Sequence, residues 1–101
     1  MRERIEVRVE AVLADLIPEY LANRRADVER LRAALASGDF DAVAAIAHPI
    51  KGSGGGYGFD FISEAGRGIE QAAKEGDAPM VGQWIGELND YLGRVSVVYV
   101  D

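Results

Sequence analysis

Residues 77–95 read DAPMVGQWIGELNDYLGRV. Met80, Val81, Trp84, Ile85, Leu88, Tyr91, Leu92 and Val95 recur at spacings of three and four, the period of one face of an α-helix. Asp77 suits the N-cap and Pro79 the first turn. This is the strongest apolar stripe in the chain, and a stripe of that width needs other helices to cover it. Working outward, three more segments offer themselves. Gly76 closes a helix that begins near Gly58 and turns Phe59, Ile62, Gly66, Ile69 and Ala73 inward, with the small residues Ala65, Gly66, Ala72 and Ala73 admitting a close neighbour. Before it, Asp39 caps a helix whose face is Phe40, Val43, Ala47 and Ile50. Gly54 to Gly56 should end it, at about 1 kcal/mol of helix propensity per glycine. Before that, Pro18 opens and Gly38 closes a helix with Ile17, Leu21, Val28, Leu31 and Leu35 on one face. Four amphipathic helices with short connections predict an all-α fold, an antiparallel four-helix bundle.

The two ends read less simply. IEVRVEAVL (residues 5–13) alternates at Ile5, Val7 and Val9 like a strand, but Ile5, Val9, Val12, Leu13 and Leu16 also fit a helical stripe. The expectation is a short additional N-terminal helix capping the bundle. The β-branched tail VSVVYV (residues 95–100) disfavours helix and is expected to be extended or frayed, packed on the bundle.

Composition bounds the function. With 101 residues, 49% of them apolar, the chain suits one domain, residues 1–101, and a real core. There is no cysteine, which excludes disulfides, thiolate metal sites and a cysteine nucleophile. Seventeen acidic against eleven basic residues give a net charge of −6, which disfavours nucleic acid. The local cluster Arg24, Arg25, Arg30 and Arg32 alternates with Asp27 and Glu29 and reads as a solvated helix face. No apolar run approaches the ~20 residues of a membrane span, and the charged start MRERIEVRVE is unlike a signal peptide. A soluble, cytoplasmic protein is expected, monomeric, with no nucleic-acid or membrane partner.

The chain's only histidine sits in AHPIKGSGGGYG (residues 47–58). On a helical wheel His48 points away from the stripe formed by Val43, Ala47 and Ile50, so its imidazole faces solvent. Its neighbours three and four residues away are Ala44, Ala45, Lys51 and Gly52. Apart from the lysine, none has a side chain longer than a methyl, so a second protein's surface can approach closely. A phosphoryl group on the imidazole would bring roughly two negative charges, which a cation one turn along would stabilise. The glycine run is not a phosphate-binding loop of the Walker type, because the lysine precedes the glycines and the run follows a helix rather than a strand. Ser63, Arg67, Glu70 and Lys74 share one edge of the third helix, which either borders His48 or is simply solvated.

The string HPIKGSGGGYG resembles the signature of histidine phosphotransfer (HPt) domains: histidine, two residues, lysine-glycine-serine, and a further glycine ten after the histidine. The flanking segments resemble the family's helices over about residues 13–95. The resemblance implies a four-helix bundle that carries phosphate between receiver-domain aspartates or accepts it from a kinase. By the same resemblance it would be a phosphocarrier rather than an enzyme, with no cofactor or metal of its own, since the receiver would bring the aspartate and its divalent cation. It makes His48 the phosphoacceptor, Lys51 its electrostatic support and Gly52 the clearance for docking, with Ser53 and Gly58 shaping the helix end. The candidate docking set is Ala44, Ala45, Gly52, Ser53 and Gly55. The partners implied are a response-regulator receiver domain, a hybrid histidine kinase, or both.

Pro49 departs from the family pattern. A proline inside a helix removes the hydrogen bond to the carbonyl of Ala45 and costs about 3 kcal/mol. A kink that tilts the imidazole outward is expected, the alternative being that Pro49 opens a new helix. The same departure motivates a second reading, a phosphorylation-incompetent adaptor that keeps the docking surface. A third is the phosphoacceptor domain of a chemotaxis-type kinase, which shares the histidine-lysine-glycine pattern.

Overall fold

The computed structural model describes residues 3–101. Four helices carry most of them: α1 (Ile17–Ala36), α2 (Phe40–Ser53), α3 (Asp60–Lys74) and α4 (Ala78–Arg94). The stops are those the local chemistry dictates. Gly38 and Gly76 take the left-handed conformation, at φ 69° and 68°, after α1 and α3. The next residues then cap: Asp39 accepts from the Ala42 amide at 3.0 Å and Asp77 from the Met80 amide at 3.1 Å. Connections this short force successive helices to run antiparallel. Each helix packs against its sequence neighbours, and α1 closes the ring against α4.

The inward stripes meet in one core. Leu31 of α1, Val43, Ala47 and Ile50 of α2, Ile62 and Ile69 of α3, and Val81 and Leu88 of α4 are all fully buried. Each large aliphatic side chain among them contributes about 1.5–3 kcal/mol by leaving water. Of the stripe that identified α4, only Met80 is turned out.

The ends differ from the expectation. No helix caps the bundle among the described residues. Instead Ile5–Glu10 is a strand, β1, followed by a single 3-10 turn at Ala11–Leu13. It pairs in parallel with a second strand, β2 (Val95–Val100), from Ile5 opposite Val95 to Glu10 opposite Val100. The extended tail is thus a sheet strand. Period two wins over period 3.6 because the β-branched residues of both ends supply each other's missing ladder. Val9 is buried, whereas Val12 and Leu16, which the helical stripe would have turned inward, are 82% and 51% exposed. Parallel strands need a long crossover connection; here the whole helical bundle is that connection.

The arginine cluster on α1 is also less solvated than its pattern suggests. Asp27 is buried and accepts from Arg24 Nε at 2.9 Å and from Arg30 at 3.0 Å. Arg24, held this way, lies over the Tyr20 ring and reaches the end of α2.

Candidate functional site

The site is built on α2 and α3, which pack along their lengths. α2 runs unbroken from Phe40 to Ser53 with Pro49 inside it. His48 therefore lies within a helix and does not begin a new one. The Ala45 carbonyl, deprived of its partner by Pro49, belongs to an exposed residue where water can serve it. His48 keeps 67% of its side chain exposed, as the wheel requires.

The C-terminal end of α2 is pinned to α1. Ser53 Oγ donates to the Ile50 carbonyl at 3.2 Å, lies 3.1 Å from the Tyr20 hydroxyl, and accepts from Arg24 at 3.3 Å. Its hydroxyl is thus committed to the bundle, so of the five candidate docking residues Ser53 is the one whose side chain is engaged inward. Gly54 packs where a Cβ would strike the Phe59 carbonyl and stand 2.9 Å from the Ser63 amide. Gly58 needs the left-handed region at φ 93°. These two constraints explain Gly54 and Gly58: the chain folds back tightly there, and Phe59 stacks on Tyr20 at 5.7 Å.

Ala45, Gly52 and Gly55 are exposed and Ala44 is half-buried. A Cβ on Gly52 would meet nothing within 4 Å. The small-residue surface around the imidazole is therefore open.

What the sequence did not single out is Glu70. It appeared there only as one of four residues on an edge of α3. In the structure it is 7% exposed and stands between the two residues that matter. His48 Nδ1 lies 2.8 Å from its Oε2 and Lys51 Nζ donates to its Oε1 at 2.7 Å. Lys74, one turn along α3, adds a longer ion pair at 3.8 Å. Ser63 is tied to the loop, accepting from the Gly55 amide at 3.0 Å. The signal available in the sequence was an acid beside the inward positions Ile69 and Ala73, where an unpaired carboxylate is not tolerated.

These contacts decide the chemistry of the imidazole. The Lys51 hydrogen bond first, and that of His48 second, hold the Glu70 carboxyl at about 2, far below its ordinary 4.5, while burial pushes the other way. An ionised carboxylate is acceptor only, so Nδ1 must be the protonated nitrogen. The neutral ring then carries its lone pair on Nε2, on the exposed side. Lys51 is not the free cation that the spacing suggested, since Glu70 holds it. An ammonium has three donors, however, and this bond uses one.

The bundle thus presents one exposed imidazole beside a lysine and a glycine on the surface of α2. The Hpt domain family model matches residues 15–97, and the chain belongs to that family. Hpt domains take part in histidine phosphotransfer in two-component signalling, as phosphocarriers rather than enzymes in the usual sense. Comparison with curated proteins and with solved structures gives no match. No helix among the described residues is long and apolar enough to cross a membrane.

Proposed function

We propose that this domain is a phosphorelay carrier that receives a phosphoryl group on Nε2 of His48 from a receiver-domain aspartyl phosphate and returns it to another. The observation that carries the reading is the hydrogen bond from Nδ1–H to the buried Glu70 carboxylate. The Nε2 lone pair attacks phosphorus, the N–P bond forms, and the acyl phosphate P–O bond breaks with its electron pair leaving on the aspartate carboxylate. The ring is left as an N-phosphoryl imidazolium whose charge faces Glu70. Lys51 supports the arriving phosphoryl oxygens with the donors that Glu70 leaves free. Transfer onward is the reverse step, with a receiver carboxylate as nucleophile.

The same surface supports the docking assignment. Ala44, Ala45 and Gly52 put no side chain longer than a methyl beside His48, and Gly55 is exposed just after α2. The adaptor reading rested on Pro49; that α2 continues through it with the imidazole exposed supports the carrier.

Incubation with a phosphorylated receiver domain tests this. Wild type takes up acid-labile label, His48→Gln takes up none while staying helical, and Gly52→Gln is labelled slowly although folded. Label retained by His48→Gln would sink the assignment, and unchanged kinetics in Gly52→Gln would remove the docking role of the open patch.

A further inference from the structure

We infer that Gly66 is a positioning residue for His48: by bringing α3 into backbone contact with α2 at Lys51, it sets the distance across which Glu70 fixes the imidazole. The inference rests on the phosphocarrier reading only for what that fixed ring is used for.

Gly66 sits on α3, one turn before Glu70 and on the side facing α2. A Cβ placed there would stand 2.8 Å from Lys51 Cα and 2.9 Å from the Ile50 carbonyl carbon, and nearer still to the Lys51 amide nitrogen. All three are backbone atoms of the turn that carries the site, so no side-chain rotation relieves the overlap. Gly66 is helical with no positive φ, so the glycine is required by this approach and not by its own conformation.

The margin is narrow. To reach ordinary contact at 3.4 Å, Lys51 Cα would retreat by more than half an ångström. The same retreat would stretch the Glu70 bonds to His48 and Lys51, now 2.8 and 2.7 Å, past the ~3.2 Å limit of a good N–H···O bond. Glu70 itself is only 7% exposed. Gly68, two residues on, is also close-packed, but against a side chain of α4 rather than the backbone of α2. A Cβ there would enter the Trp84 ring, 2.6 Å from Cδ2. It therefore serves as a control for helix packing that does not involve the site.

The test reads the ring nitrogens of His48 by ¹⁵N NMR in the whole domain at alkaline pH, where an imidazole is neutral, with no phosphate present. Wild type gives one protonated and one unprotonated nitrogen. Gly66→Ala is expected to give a mixed tautomer, like Glu70→Ala, and to lose about tenfold to a hundredfold in transfer rate. Gly68→Ala, although destabilised, is expected to keep the wild-type ring signals. Glu70→Asp opens the same gap from the other side, withdrawing the carboxylate by about 1.5 Å without disturbing the helix contact; it too should give the mixed tautomer, and if Gly66→Ala fails to fold it still tests whether the ring depends on that distance. Wild-type ring signals in Gly66→Ala or in Glu70→Asp, or mixed ones in Gly68→Ala, would overturn the inference. A mixed tautomer in Gly66→Ala together with a wild type that takes up no acid-labile label would leave Gly66 as the positioning residue and count against the phosphocarrier reading instead.

Discussion

At the scale of single residues, the site turns on a carboxylate that the sequence hid. His48 and Lys51 announce themselves by spacing within one helix. Glu70 is 22 positions further on, and its relevance depends on how closely two helices approach, which no periodicity reports. Its depressed pKa gives a prediction with a definite sign. The fold favours the ionised form, so this group stabilises the protein above its ordinary pKa of 4.5 and ceases to do so as pH falls towards about 2. Measured by denaturant unfolding, the stability advantage of wild type over Glu70→Gln is expected to hold from neutral pH to about 4.5 and shrink below it. An advantage that stays constant through that window would mean the carboxylate is not ionised against Lys51 and His48 in the folded protein.

At the scale of elements, α2 carries a proline in mid-helix and remains one helix because three of its residues, Val43, Ala47 and Ile50, are locked in the core and Ser53 is held by α1. Tertiary packing overrides a local penalty of about 3 kcal/mol. Pro49→Ala restores the N–H that the Ala45 carbonyl lacks, so the variant should be more stable by about 1–3 kcal/mol, visible as a higher melting temperature. Transfer kinetics should change little, since Glu70 and not the proline fixes the ring. A variant that melts lower than wild type would contradict this. The helices themselves were legible: Gly38–Asp39 and Gly76–Asp77 are stop-and-start signals whose physics is local, and the inward faces follow from spacing alone.

At the scale of the whole molecule, the two ends of the chain escaped that kind of reading. Ile5–Glu10 fits either period, and what decides between them is a partner strand 90 positions away in the register, Ile5 with Val95. Alternation was visible in one segment and β-branching in the other, but the pairing is a long-range fact. It gives β1 a structural task, since Val9 is buried with the core of the bundle. Val9→Ala removes a side chain that is 2% exposed and should lower stability by about 2 kcal/mol, with helix content retained in far-UV circular dichroism below the melt. No change in the melting temperature would mean that the strand pair is an appendage rather than part of the cooperative fold.

The most direct measurement is the site of attachment itself. A ¹⁵N-labelled domain, phosphorylated by a receiver and observed by ³¹P–¹⁵N correlation, should show one phosphorus bonded to Nε2 of His48, with Nδ1 still protonated against Glu70. Phosphorus on Nδ1, on another residue, or on none would contradict the assignment of His48 as a phosphoacceptor held in place by α3.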